Sequence, residues 1–352
     1  MSPHRAFRQV AFGIALLSAA LAGDALAGRN DLKLVNLCPQ VEVTALGVYE
    51  CSWVQRDPAT HLVTGVTIDD AGRRNFRSLM SELGVVMAPR IPMPAGTLGF
   101  AGFQVSGELG LTQISSGQPF WNGVEAVAPG NTSNARPASA LTTVGVFLRK
   151  GIWLPAPSFE VGGGVVNLLD SQMLSWQAYA KVALHEGFHD LPIPSLSIRG
   201  AFAYLTGTDQ VSLRTTSIDV LVSKGFGVLK TARLEPFGGW SLLLIQASGK
   251  TIDFTPLCDA TAKTDPGQPI SNRCVADPNG STANDLKANF AFPSQEVITR
   301  YRVFGGAKLK FGILDIIAQY ELYLAGHSRV ESSAVDQSGR QSAFSLSLGL
   351  EF

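Results

Sequence analysis

The sequence predicts an all-β protein: an antiparallel transmembrane β-barrel of about ten strands, with about twelve as the alternative, behind a small N-terminal segment that holds one short helix. Three observations carry this. Strand-length segments alternate residue by residue between an apolar face and a polar, charged face. Connections between them are long at one end and short at the other. The chain closes on the alternating run SAFSLSLGLEF, whose last residue is Phe352.

The clearest alternation is QEVITRYRVFGGAKLKFGI. Val297, Thr299, Tyr301, Val303, Leu309 and Phe311 share one face, while Arg300, Arg302, Lys308 and Lys310 share the other. One face suits hydrocarbon and the other does not, so the strand lies between two solvents. The split recurs where Leu174, Trp176, Ala178, Ala180 and Val182 oppose Gln177, Tyr179, Lys181 and His185. Leu196, Ile198, Phe202 and Tyr204 likewise oppose Ser197 and Arg199. Phe103, Val105, Leu109 and Leu111 oppose Gln104, Ser106, Glu108 and Thr112, and Ile316, Ala318, Tyr320 and Leu322 oppose Gln319 and Glu321. Weaker alternation covers 141–150, 158–168, 210–222 and 233–248. A soluble sandwich is the competing architecture, but its second face meets water, where large aromatics are scarce. Here Trp176, Tyr204, Tyr301, Phe311 and Phe352 lie near strand ends on the apolar face, as in an interfacial girdle.

Connection lengths agree. Outer connections fall near 115–140, 169–173, 206–209, 249–293 and 326–340, and inner ones near 151–157, 187–194, 223–232 and 312–315. An unpaired edge in hydrocarbon costs several kcal/mol per backbone group, so the last strand is expected to close against a first strand near 98–112.

Phe344, Leu346, Leu348, Leu350 and Phe352 thus form one face of a terminal strand that resembles the C-terminal signal of Gram-negative outer-membrane β-barrel proteins. That resemblance implies residence in the bacterial outer membrane, contact with its lipids, and recognition of the final strand by the barrel assembly machinery through strand addition. It covers the N-terminal leader, the strands from 97 onward and the terminus, and it names no substrate.

Residues 1–27 read as an export signal: His4, Arg5 and Arg8 precede an apolar run, and Ala25-Leu26-Ala27 has the form of a cleavage site. The chain is 45% hydrophobic and only 16% charged, with a formal net charge of zero, which gives no reason to expect a nucleic-acid partner. Of the pairings open to its 4 cysteines, proximity favours Cys38 with Cys51 and Cys258 with Cys274. Neither pair has metal-ligand spacing, and no metal or cofactor is expected.

Residues 28–96 do not read as membrane strands; 97–352 make the barrel. AGRRNFRSLMSELGVV places Phe76, Leu79, Met80 and Leu83 at helical spacing, and PRIPMPAG, with three prolines, is a stiff connector. The segment reads either as a plug whose arginines meet acidic wall residues or as a periplasmic extension packed under the barrel.

HEGFH (185–189) fits the H-E-x-x-H zinc-peptidase pattern, but that chemistry needs a helix. Gly187 and the following DLPIP leave none room to form, so the motif reads as a hairpin turn with His185 and Glu186 at the barrel rim. The glycines of EVGGGVVN lack the helix and lysine of a phosphate loop and instead suit close contact or curvature. No enzyme is expected, although the sequence does not exclude an outer-membrane hydrolase. The best site candidates are inward charges: Glu108, Arg149, Glu160, Lys181, Arg199, Asp219, Arg233, Glu235, Arg300, Arg302, Lys308, Lys310 and Glu321. They either line a watery channel and set its selectivity or pair across a closed interior. The leading expectation is a porin-like channel for small solutes, gated by 28–96 and mildly anion-preferring. A non-conducting structural or surface-interaction barrel, and a carrier of lipids or hydrophobic ligands, are the alternatives.

Overall fold

A computed structural model describes residues 28–39, 41–43, 49–59, 63–127, 136–153, 158–186, 193–228, 231–254, 288–326 and 335–352. Ten long antiparallel strands form its wall: β1 (Phe103–Gln113), β2 (Ala140–Ile152), β3 (Phe159–Leu168), β4 (Leu174–His185) and β5 (Ser195–Thr206) make one half. The other half is β6 (Val211–Ser223), β7 (Ala232–Gly249), β8 (Ile298–Phe311), β9 (Leu314–Tyr323) and β10 (Gln341–Glu351). Each strand pairs with the next in the chain, and β10 pairs with β1, so the sheet is a closed up-and-down barrel. At the seam Leu346 stands opposite Leu109, and Phe103 and Phe352 exchange backbone hydrogen bonds of 3.0 and 2.8 Å.

Closure satisfies the edge that a terminal apolar strand exposes. Along β1 and β10, burial alternates strictly: Gln104, Ser106, Glu108, Ser345 and Ser347 are buried, while Leu109, Leu111, Phe344, Leu346 and Leu348 face out. The same outward belt continues through Leu148, Ile198, Phe202, Ile218 and Val303. Trp176 pairs across strands with Tyr204 near one end of β4 and β5, which puts these aromatics near a rim of the belt, and Trp240, midway along β7, stacks on Tyr301 at 5.9 Å. An exterior this apolar around a polar interior is a lipid-facing wall. Replacing Leu346 by Arg, at the middle of β10, is therefore expected to destabilise the barrel by roughly 2–4 kcal/mol, measured by urea unfolding in lipid vesicles; Ser342→Arg, near the strand end, should change far less.

Connections 114–139, 250–297 and 324–340 lie at one end, called upper here, and the two-residue turn at Gly312 (φ +58°) at the other, lower end. Glycine adopts that left-handed conformation without a Cβ penalty.

Inside, bulky side chains lie against glycines on neighbouring strands. A Cβ on Gly162 would sit 2.4 Å from the Tyr179 ring, and one on Gly164 would sit 2.4 Å from the Phe147 ring and 2.2 Å from the Val146 carbonyl. The EVGGGVVN glycines thus make room for Tyr179 and Phe147, the close-contact use expected of them.

Helix α1 (Asp70–Val86) begins at Asp69, whose carboxylate accepts the Gly72 N–H at 2.7 Å, an N-cap. It sits in the upper mouth, and its apolar face is fully enclosed: Phe76, Leu79 and Met80 are each 0% exposed. Phe76 stacks on Phe292 at 4.1 Å, and Trp53 meets the same ring edge-on. Residues 28–39 pack on the upper connections, with Asn30 N–H donating to Asp170, Lys33 N–H to Gly123 and Leu34 N–H to Gln210. The Cys38–Cys51 disulfide clips this layer (Cα–Cα 6.1 Å), and a loop of that size is worth on the order of 3 kcal/mol in the chain-entropy model. The expected Cys258–Cys274 pair lies outside the described residues. The N-terminal segment is therefore a cap at the long-loop end, joined to the wall in one hydrophobic core. It is not packed under the barrel.

Candidate functional site: a threaded lumen

Below α1 the chain does not leave the barrel. Residues 76–95 are buried without interruption, and 87–98 run down the lumen from the upper mouth to the lower rim before turning into β1. Twelve extended residues reach at most about 40 Å, more than an apolar band of about 25 Å requires.

A bare chain in a lumen must satisfy every backbone polar group. Pro89, Pro92 and Pro94 remove three N–H donors, so the thread presents mostly carbonyl acceptors. The wall supplies cations to meet them. Arg302 donates to the Pro89 carbonyl at 3.0 Å, Arg149 to Pro92 at 2.7 Å, and Lys181 to Pro94 at 3.3 Å and Gly96 at 2.8 Å. Arg199 takes two consecutive carbonyls, Ile91 at 2.7 Å and Arg90 at 3.3 Å. Neighbouring carbonyls of an extended chain point to opposite sides; Ile91, at φ +39°, bends the backbone so that both reach one guanidinium. Higher up, Ser175 donates to the Met87 carbonyl, and Arg90 reaches back to Val86 and across to Thr112. The thread's side chains Ile91, Met93 and Ala95 fill an inner apolar ring with Phe147, Tyr179, Leu221, Phe237, Phe304 and Ile317.

The carboxylates hold these cations in place. Asp219 lies between Arg199 (2.6 Å) and Arg302 (2.9 Å) and also accepts from Ser217 and Ser241. Glu321 approaches Arg302 at 3.5 Å and accepts from Gln319 and Tyr323. Glu160 pairs with Lys181 at 3.3 Å and accepts from the Tyr179 hydroxyl and the Leu98 N–H. Charge-assisted bonds of this kind are about twice as strong as neutral ones, and the enclosed interior leaves little water to compete.

Eleven of the inward candidates are buried: Glu108, Arg149, Glu160, Lys181, Arg199, Asp219, Glu235, Arg300, Arg302, Lys308 and Glu321. They do not form one group. Arg300 belongs to the upper mouth, donating to Ser81 on α1, to Ser338 and to the carbonyls of Leu324 and Gly339. Lys308 and Lys310 share Glu351 near the lower rim, and Arg233, whose side chain is 63% exposed, stands there 3.6 Å from Glu235. Among the described residues, the arginines of α1 form no salt bridge with a wall carboxylate, which is the contact a plug reading expects. Arg77 donates to the Glu296 carbonyl, and Arg73 is exposed. The polarity is reversed, with cations on the wall and acceptors on the inserted chain.

Sequence reasoning missed Glu82, which accepts from the Trp121 indole and the Ser115 N–H and so ties α1 to the first upper connection. It also missed Arg90, whose only signal is a lone charge among prolines. Glu186 of HEGFH sits at the lower rim and accepts both the N–H and hydroxyl of Thr97, securing the end of the thread. His189 lies outside the described residues, and no cluster of metal-ligating side chains occurs among those described.

A closed antiparallel barrel with an apolar belt, a polar interior, long connections at one end and short turns at the other is the architecture of an outer-membrane β-barrel. No protein-family model and no curated protein matches the chain. Among solved structures it is similar to an outer membrane channel from Pseudomonas putida F1, at 12% identity and a TM-score of 0.28 over 75% of this chain and 100% of that one. It is also similar to neisserial surface protein A, at 11% identity and 0.26 over 71% and 97%. Ail, the attachment invasion locus protein of Yersinia pestis, solved with the heparin analogue sucrose octasulfate, is similar at 11% identity and 0.25 over 72% and 99%. Overlaps this low carry no argument about this chain, and the barrel is read from its own strand pairings.

Proposed function

We propose that the protein is an occluded outer-membrane barrel that carries a folded cap at its outward end, a structural or surface-interaction protein rather than an open pore. The supporting observation is the thread: residues 87–98 occupy the lumen, and Arg149, Lys181, Arg199 and Arg302 grip their carbonyls. A passive channel requires that chain to be displaced. Both ends resist this, because α1 and the cap are anchored in a core above and β1 continues from the thread below. Burying these charges is costly unless they are paired and hydrogen-bonded; carboxylates pair Lys181, Arg199 and Arg302, and the thread's carbonyls accept from all four cations.

Recording from the refolded full chain in planar bilayers tests the reading. The expected result is the absence of unitary current steps over a wide range of voltage and salt. Steady, reproducible steps from the intact protein would overturn it and restore the porin-like reading, with the basic set near Arg300, Arg302, Lys308 and Lys310 predicting a mild anion preference.

A further inference from the structure

Beneath the lower part of the thread the barrel keeps a cavity of about 190 Å³. That is several water volumes of about 30 Å³ each, and smaller than the roughly 300 Å³ at which pockets for drug-sized ligands begin. Its floor and sides come from the thread between Met93 and Leu98 and from seven strands, and at the rim it reaches Lys310 and Arg233.

The carboxylates lining it are already engaged. Glu160 is taken by Lys181, Tyr179 and the Leu98 N–H, and Glu186 by Thr97 and Ser158. Glu351 serves Lys308 and Lys310 at once, and Glu235 accepts from Ser223. The cations are not matched in the same way. Arg149 is 3% exposed and has no carboxylate within salt-bridge distance among the described residues; it donates to the Pro92 carbonyl. Two lysines dividing one carboxylate leave further positive charge on the facing side. A cavity-lining guanidinium with no carboxylate at salt-bridge distance, in the same cavity as two lysines that share one carboxylate, is arranged to receive an anion.

We propose that this cavity binds a small solute through a carboxylate or phosphate group, with Arg149 as the anchor and Lys310 as the rim contact. The site lies below the constriction, so it needs no open lumen and stands or falls separately from the occlusion reading.

Titration calorimetry on the detergent-solubilised full chain, with inorganic phosphate and with acetate as probes, tests it. Saturable binding that weakens with salt is expected for at least one probe. Acetate alone identifies a carboxylate site, phosphate alone a phosphate site, and both a general anion site. Arg149→Gln should weaken binding roughly tenfold or more, Lys310→Gln should weaken it less, and Arg214→Gln, on the outer surface over Tyr204, should leave it unchanged. Lys310 is partly exposed, so its variant decides the matter if Arg149→Gln does not fold. No saturable heat with either probe overturns the proposal, as does binding that Arg149→Gln and Lys310→Gln both leave intact.

Discussion

Replacing Asp219 by Asn is expected to cost roughly 3–5 kcal/mol, enough to empty much of the folded population of a marginal barrel. The carboxylate sits between two guanidiniums, each 0–1% exposed at the side chain, and accepts from Ser217 and Ser241 as well. Asn keeps one acceptor oxygen but turns an amide donor toward a guanidinium, which only donates. Arg199 then remains enclosed with no carboxylate at salt-bridge distance among the described residues, and Arg302 keeps only Glu321 at 3.5 Å. Urea titration of the refolded protein in vesicles, followed by tryptophan fluorescence, reads the loss. Adding Arg302→Met to Asp219→Asn should recover part of it, since the second change removes one of the stranded charges. A double variant no more stable than the single would show that Arg302 is held chiefly by the Pro89 carbonyl and Glu321.

The second large effect is expected at the cap. Phe76 is fully enclosed and stacked on Phe292, which also meets Trp53 and Phe290. Truncation to Ala removes a large apolar side chain from a rigid aromatic cluster, and such changes cost about 3–5 kcal/mol. The loss is expected to be local, because the inner ring around Ile91 and Met93 is a separate cluster and the backbone pairings that close the wall do not involve Phe76. Limited proteolysis of Phe76→Ala should therefore cut within 28–69 while 103–352 stays resistant. Bilayers should remain silent, since the grip of Arg149, Lys181, Arg199 and Arg302 is untouched. Uniform loss of protease resistance would show instead that cap and wall unfold as one unit.

The wall was legible because lipid and water impose period two on every strand. Leu346 and Ser345 announce opposite faces without any knowledge of their neighbours, and the helix at 71–86 announces itself as Asp70–Val86 through the spacing of Phe76, Leu79 and Leu83. The inward position of Arg199, Asp219 and Arg302 follows from the same parity. Their partners do not. The groups they grip are main-chain carbonyls, which every residue carries and no side chain advertises. PRIPMPAG has no periodicity, and its prolines read equally well as a connector outside the barrel. Placing it in the lumen depends on matching wall donors to thread acceptors in three dimensions. The same blindness explains Arg233, whose inward parity is correct but whose place beyond the rim leaves it solvated.

The thread also makes the molecule a ring closed around its own axle. Above, a folded cap of helix and clipped loops is anchored in a core; below, the axle is covalently the first stave of the ring. Neither stopper passes through once β10 has zipped onto β1. The expected order of assembly therefore has the leading segment in the bore before the β10–β1 seam is sealed.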